Sequence, residues 1–239
     1  MKNAQKPEKV ALGSLLHQLK DGRFVIPDFQ REFEWRPWDI RDLLKSMLLD
    51  YYIGTLLLWK GTEKNFKDLS CESVYGHTGD DKAEYIVLDG QQRLTAIYYA
   101  FHGPSINFPN RTKPVVFFAR LDKLRDENYD ECVDYDFVTK KWINKKSKKE
   151  YQFENHIFPF TLLGKGTREV IRWLDGYAKF WGDKSEELKS AGDSDGAELA
   201  RQAADFKDIF DREVDELERD YQISYIELDK DIPVEKVCD

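Results

Sequence analysis

An apolar run that passes through an Asp-Gly turn directly into a helical pattern is the feature that most constrains this chain. Residues 85–88 (Tyr-Ile-Val-Leu) predict a buried strand, Asp89 and Gly90 supply the turn, and residues 94–101 continue as a helix. A strand that is apolar throughout is typical of a sheet covered on both faces. The segment therefore predicts helices packed on a sheet, which is an α/β or mixed α+β fold.

The rest of the chain predicts a mixed sheet with helices in the first half and a mostly helical annex in the second. The first half alternates helices at 11–20 and 39–49 with strands at 24–26, 55–59 and 115–119, around a polar excursion at 61–83. The second half predicts a hairpin from 133–138 and 149–153, helices at 168–180 and 197–217, and a last strand at 223–228. We therefore expect one domain at 1–125, followed by a hairpin and helical annex at 126–239.

The composition excludes several classes of protein. With 41% hydrophobic and 14% aromatic residues, the chain carries enough apolar surface to fold. Its longest apolar stretch, residues 53–59, is far too short to span a membrane, and its first residues lack the apolar core of a signal peptide. Three widely spaced cysteines indicate a reducing compartment, so we expect a cytoplasmic protein with no membrane partner. The four histidines show no zinc-ligand spacing.

The net charge of −8 is unevenly distributed along the chain. Residues 1–125 carry 19 basic and 16 acidic side chains, a balance of +3, whereas residues 126–239 carry 18 and 29, a balance of −11. Because the acidic half repels nucleic acid over most of its surface, any DNA contact is local. One candidate is the six-lysine segment 140–149, with Trp142 and Tyr151 nearby; the alternative interpretation is a solvated hairpin tip.

The Asp-Gly-Gln-Gln-Arg string after the buried strand forms the strongest candidate site. The first N–H groups of a helix lack internal partners and carry the positive end of its dipole, which suits a phosphate. Gly90 permits close approach to the backbone, and Arg93 adds a permanently charged fork. Gln91 and Gln92 can orient a water or bind a base, and Asp89 can hold a metal ion. In the structural alternative, Asp89 only caps the helix and Arg93 is a solvated charge.

A second constellation lies at residues 26–35 (Ile-Pro-Asp-Phe-Gln-Arg-Glu-Phe-Glu-Trp). It crowds three aromatic rings and several charges around a proline turn, just before a helix. In one interpretation, Gln30 and Arg31 project into a pocket while the rings anchor the segment in the core. In the other, the segment is a structural aromatic cluster in which Arg31 pairs with Glu32 or Glu34.

Together, the two motifs resemble the N-terminal domain of GmrSD-type bacterial restriction proteins. The resemblance rests on Pro-x-Phe-Gln-Arg-x-Phe-x-Trp at 27–35, Tyr-Ile-Gly at 52–54 and Leu-Asp-Gly-Gln-Gln-Arg-Leu-Thr at 88–95. That family is related in fold to the ParB and sulfiredoxin nucleotide-binding domains, which implies a ParB-like sheet here. It also implies a module that binds and hydrolyses a nucleoside triphosphate with Mg²⁺. Such a module gates cleavage of modified or foreign DNA by another domain, often in antiphage defence.

The resemblance also implies roles for individual residues. The catalytic set, in which Asp89 also holds the metal ion, comprises Asp89, Gln92 and Arg93. The nucleotide-binding set comprises Gln30, Arg31, Gly90, Gln91 and Thr95. Family members continue past the last strand, so we expect an N-terminal fragment of a longer protein that contacts DNA mainly through other regions and is able to form an oligomer. The rival hypothesis is a non-catalytic module that recognises DNA or a protein through the same pocket.

Overall fold

The computed structural model describes residues 6–79, 82–103 and 105–232, which form two sheets with helices packed on them. The strands are β1 (Glu8–Ala11), β2 (Phe24–Ile26), β3 (Thr55–Lys60), β4 (Glu72–Ser73), β5 (Tyr85–Asp89), β6 (Val115–Arg120), β7 (Val133–Phe137), β8 (Ile157–Pro159) and β9 (Gln222–Leu228). The helices are α1 (Leu12–Lys20), α2 (Pro37–Leu48), α3 (Glu63–Asp68), α4 (Gln91–His102), α5 (Leu121–Arg125), a π-helical turn (Trp142–Lys146), α6 (Lys149–Glu154), α7 (Thr161–Lys165), α8 (Thr167–Ser190) and α9 (Ser194–Arg219). The mixed sheet and the helical C-terminal part confirm the predicted fold class.

The first sheet has six strands in the order β1-β9-β3-β5-β2-β4. β5 lies in its interior, antiparallel to β3 and parallel to β2. Ile86 and Val87 point to opposite faces of β5, and both are fully buried, which confirms that this strand is covered on both sides. β9 inserts between β1 and β3, antiparallel to the former and parallel to the latter.

The second sheet has three antiparallel strands in the order β7-β6-β8, and the two long helices α8 and α9 pack near it. Phe158 of β8 meets Trp173 of α8 and Phe210 of α9 edge-on, with ring centroids 5.2 and 4.9 Å apart. A continuous apolar cluster runs from α1 and α2 through α4 to α8 and α9. The helix that carries the candidate site is therefore held by the main core of the protein.

The predicted hairpin of 133–138 and 149–153 is wrong. β7 pairs with β6, and residues 149–154 form α6 instead of a strand. The apparent alternation of polar and apolar residues around Gln152 is too short to distinguish a strand from a helix. Contacts with α8 determine that this segment is helical. The Phe153 ring lies edge-on to Trp173 with centroids 5.0 Å apart, and the Trp173 indole N–H donates to Gln152 Oε1 at 2.9 Å.

Two other segments also differ from the expected organisation. The polar excursion at 61–83 includes helix α3 and the short edge strand β4 in its described part, and α8 runs to Ser190 rather than ending at residue 180. In both sheets, strands before residue 125 pair with strands after it, since β9 pairs with β3 and β7 pairs with β6.

Among the described helices, none combines the length and the apolar character needed to cross a bilayer.

His156 lies at the junction of α6, β8 and α8 in a left-handed conformation with φ of +54°. Its ring stacks on Trp181 at 4.7 Å, and its Nδ1 lies 2.7 Å from the Tyr177 hydroxyl. Burial lowers the pKa of His156 below its ordinary value of 6.5, despite the nearby Asp122 carboxylate. The folded protein therefore holds this imidazole in its neutral form where the unfolded chain would already be protonated.

We expect the His156→Asn variant to lose less stability than the wild type when the pH falls from 7.5 to 5.5. The unfolded chain binds a proton below about pH 6.5 that the folded His156 resists, so this residue costs at most about 1.4 kcal/mol per pH unit there. Asparagine tolerates the left-handed backbone and does not titrate. Urea unfolding at several pH values measures the difference, and equal pH slopes in the two proteins would contradict it.

Candidate functional site

Gly90 connects β5 to α4 in a conformation that other residues rarely adopt. Its φ is +90°, and a Cβ at this position would lie 2.4 Å from Leu56 Cδ2. Gly90 is also the N-cap of α4, so Asp89 does not cap the helix; it is the last residue of β5. The Asp89 carboxylate is largely exposed and lies 3.6 Å from Arg93 Nη2.

The Arg93 side chain points back onto the start of β3. Its Nη1 donates to the Ile53 carbonyl at 2.8 Å and its Nη2 donates to the Thr55 carbonyl at 3.0 Å, while only 19% of the side chain is exposed. Gly54 lies between these two carbonyls with φ of +94°, and a Cβ there would sit 2.2 Å from Arg93 Nη1. The guanidinium is therefore a clamp on this turn rather than a solvated charge.

The Gln92 side chain is buried and makes three hydrogen bonds to the backbone of residues 32–35. Its Oε1 accepts from the N–H groups of Glu34 and Trp35 at 2.9 and 3.2 Å, and its Nε2 donates to the Glu32 carbonyl at 2.9 Å. The amide thus uses its donor and its acceptor to hold one loop. Thr95, one turn further along α4, is buried, and its hydroxyl has no hydrogen-bond partner among the described residues.

A second anchor ties the same loop to the sheet. Gln30 Nε2 donates to the Leu88 carbonyl at 2.7 Å, next to the end of β5. Phe33 is buried, with its ring 6.0 Å from that of Phe108, whereas Phe29 stays exposed. The segment 26–35 is therefore anchored to the core by its aromatic rings, and it also presents polar side chains next to residues 89–93.

A cleft of about 490 Å³ opens between this segment, β4 and the start of α4. Its lining combines one basic, three acidic and several aromatic or amide side chains. The lining residues are Ile26, Pro27, Asp28, Gln30, Arg31, Glu32, Phe33, Glu72, Ser73, Tyr75, Gln91 and Pro109. The structure therefore brings Gln30, Arg31 and Gln91 together, whereas the other predicted site residues lie outside the lining: Asp89, Gly90, Gln92, Arg93 and Thr95.

Arg31 is the exposed positive charge of this cleft. Its side chain is 71% exposed, and its nearest acidic partner, the Glu34 carboxylate, lies 3.9 Å away on the surface. An exposed ion pair of this kind contributes little to stability, so the guanidinium is available to an anionic ligand. Next to the cleft, the first backbone hydrogen bond of α4 runs from the Leu94 N–H to the Gly90 carbonyl. The N–H groups of residues 91–93 therefore have no acceptor within the helix.

Tyr75 is a lining residue that the sequence does not identify. It lies in the predicted surface excursion, and nothing in its local pattern indicates a site. Its hydroxyl donates to the Asn107 carbonyl at 2.8 Å, and its ring centroid lies 6.2 Å from that of Phe33. Ser73 and Glu72 reach the cleft only because β4 pairs with β2 at the edge of the sheet.

The donor set of the cleft fits a metal ion that arrives with a phosphate ligand. Among the described residues, no group of three or more histidine, cysteine or carboxylate side chains has the geometry of a protein-only metal site. Mg²⁺ commonly takes one or two carboxylates together with substrate phosphates, and Asp28, Glu32 and Glu72 offer carboxylates in the lining. Asp89, by contrast, is paired with Arg93 outside it.

Another cleft, of about 430 Å³, lies where α2 and α9 end. Its lining includes four carboxylates, from Asp50, Glu213, Glu216 and Asp220, and no basic side chain. Burial, followed by the charge of Glu216, raises the pKa of Glu213 above its ordinary value. Such a surface repels phosphate, so the cleft beside α4 is the better candidate for an anionic ligand.

Two comparisons with known proteins bear on this chain. The family model described as GmrSD restriction endonuclease, N-terminal domain, matches residues 12–239. A curated relative, an uncharacterized protein of Methanocaldococcus jannaschii, is 30% identical over 185 residues, which is 70% of this chain and 31% of the relative. The matched region thus spans about a third of the length of that relative.

We expect Gly54→Ala to destabilise the protein by about 2 kcal/mol more than Gly192→Ala does. Both glycines have positive φ, so each substitution carries a backbone cost of roughly 1–2 kcal/mol. Only at Gly54 does the added methyl displace Arg93 and strip two carbonyls of their donors, whereas nothing lies within 4 Å of a Cβ at Gly192. Urea unfolding of both variants measures the difference, and equal losses would show that Arg93 does not clamp this turn.

Proposed function

This chain belongs to the family of GmrSD restriction endonuclease N-terminal domains, and from that premise we propose that it binds a nucleoside triphosphate with Mg²⁺ in the cleft beside α4. As a member of this family, the chain is part of a restriction protein. The proposed module couples nucleotide binding and hydrolysis to DNA cleavage by another domain. DNA cleavage and defence against foreign DNA are thus proposed for the whole protein.

One observation carries the proposal: the cleft combines an exposed arginine, a buried glutamine and the start of a helix within one lining. The backbone N–H groups at the start of α4 favour negative charge, because they precede the helical ladder and share the helix dipole. Arg31 supplies a charged fork for phosphate oxygens. Gln91, which is 8% exposed, can bond a base or sugar, and Tyr75 and Phe33 offer apolar faces.

We assign Gln92 and Arg93 positioning roles in this function. Their polar groups bond to the backbone of residues 32–35 and of residues 53 and 55, so they act by holding the loops around the cleft. One or two of the acidic lining residues Asp28, Glu32 and Glu72 would supply carboxylates to the Mg²⁺ that accompanies the phosphates. Asp89 would influence the site through its ion pair with Arg93.

A second candidate function is a binding module that does not hydrolyse its nucleotide. The observation that favours it is that two of the three expected catalytic side chains, Gln92 and Arg93, already use their polar groups on the backbone. Phosphoryl transfer needs groups that orient a water and stabilise charge on the transferred phosphate. Measuring phosphate release separately from binding distinguishes the two candidates.

Calorimetric titration of the four ribonucleoside triphosphates with Mg²⁺ tests the proposed cleft. We expect selective binding of one of them, and we expect Arg31→Ala to weaken that binding by about tenfold or more. The reason is that the variant loses a charge-assisted bond worth about 1.5–3 kcal/mol. Because Arg31 is exposed, the thermal stability of the variant should stay unchanged.

Arg172→Ala is the matched control. Arg172 is also an exposed arginine that pairs with a glutamate three residues away, Glu169, but it lies on α8 outside the cleft. It should leave nucleotide affinity unchanged. Equal affinity of the Arg31→Ala and Arg172→Ala proteins, or no binding by the folded wild type, would contradict the assignment of the cleft.

A further inference from the structure

A cluster of five exposed lysines lies far along the chain from the cleft residues, and we propose that it binds the phosphate backbone of duplex DNA. This lysine surface comprises Lys140, Lys141, Lys145, Lys148 and Lys149. It belongs to the half of the chain whose balance of basic and acidic residues is strongly negative. The proposal does not depend on nucleotide binding, because none of these lysines lines the cleft beside α4.

The charge of the lysine surface is not neutralised by its surroundings. In residues 139–155, six lysines face only two acidic residues, Glu150 and Glu154, a balance of +4. Lys146 is engaged by the Asp136 carboxylate, whereas no member of the lysine surface forms an ion pair with a described residue. Like charges held close together without counter-charges favour a polyanionic ligand, because its binding removes their repulsion.

The backbone under the lysine surface is anchored rather than loose. Residues 142–146 form a π-helical turn, a rare conformation that occurs frequently at functional sites. Trp142 is buried and stacks on Phe118 with centroids 6.1 Å apart, and Gln152 Nε2 donates to the Ser147 carbonyl at 3.2 Å. The lysines therefore project from a fixed platform, which lowers the entropy that must be lost when a ligand binds.

A shallow groove of about 350 Å³ lies beside the platform. Its lining comprises Asn144, Lys145, Lys148, Glu150, Tyr151, Glu154 and Phe180, and the Lys145 ammonium lies 5.2 Å from the centre of the Tyr151 ring. The two lysines and two glutamates of the lining balance in charge, so the positive excess comes from the exposed Lys140, Lys141 and Lys149 outside the lining. The segment 139–155 contains no arginine, the side chain that reads guanine edges or grips a single phosphate with two bonds. Lysine point charges alone suit sequence-independent contact with a regular row of phosphates.

Fluorescence anisotropy of a labelled duplex of about 20 base pairs tests this proposal without nucleotide present. We expect the wild-type chain to bind, with a plot of log affinity against log salt of slope about −3 to −4.5 for three to five phosphate contacts. The triple variant Lys141→Gln/Lys145→Gln/Lys148→Gln should bind roughly tenfold or more weakly, and its slope should shrink by about 3. All three side chains are exposed, so the variant should keep the unfolding temperature of the wild type.

The triple variant Lys64→Gln/Lys67→Gln/Lys189→Gln is the matched control, since it removes three exposed lysines elsewhere and the same net charge. The control should bind DNA as the wild type does, and so should Arg31→Ala, which separates this proposal from that of the cleft. Three results would overturn the inference: no DNA binding by the wild type at 50 mM salt, equal losses in the two triple variants, or equal competition by poly-glutamate at matched charge, which would assign the surface to an acidic protein.

Discussion

The first turn of α4 holds in place the two loops on which the candidate site depends. Gln92 bonds to the backbone of residues 32–35, and Arg93 bonds to the carbonyls of Ile53 and Thr55. If these partly buried backbone groups lost their side-chain partners, the free energy of unfolding would fall, because the groups would be left without hydrogen bonds. Because α4 is itself buried among α1, α2 and α7, the geometry of the cleft derives from the core of the protein.

Neighbouring residues of one motif therefore have different roles. Successive positions on a helix are about 100° apart, so Gln91 turns toward the cleft while Gln92 turns toward the loop that forms its wall. A ligand that contacts the start of α4 would meet a helix whose next residues bond to the start of β3. The proposed nucleotide site is thereby linked to the start of β3 through direct hydrogen bonds.

The sequence predicts the elements whose pattern is local and misses those that depend on distant partners. The buried strand at 85–88 and the turn at Gly90 follow from apolar content and from the freedom of glycine, and the structure confirms both. Residues 149–153 form a helix instead of the predicted strand, because contacts with Trp173, which lies about 20 residues further along the chain, decide their conformation. Tyr75 reaches the cleft through contacts with Asn107 and Phe33, and no short-range signal encodes such contacts.

Electrostatics limits where anionic ligands can approach this chain. Its net charge of −8 repels polyanions over most of the surface, and a phosphate is attracted only where basic groups lack acidic neighbours. Arg31 and the lysine surface present basic side chains that are exposed to solvent, whereas the cleft between α2 and α9 is lined by four carboxylates and no basic side chain. A single arginine beside a helix start suits a compact triphosphate, and five lysines spread over residues 140–149 suit an extended backbone. The size of each positive region thus indicates the shape of its proposed ligand.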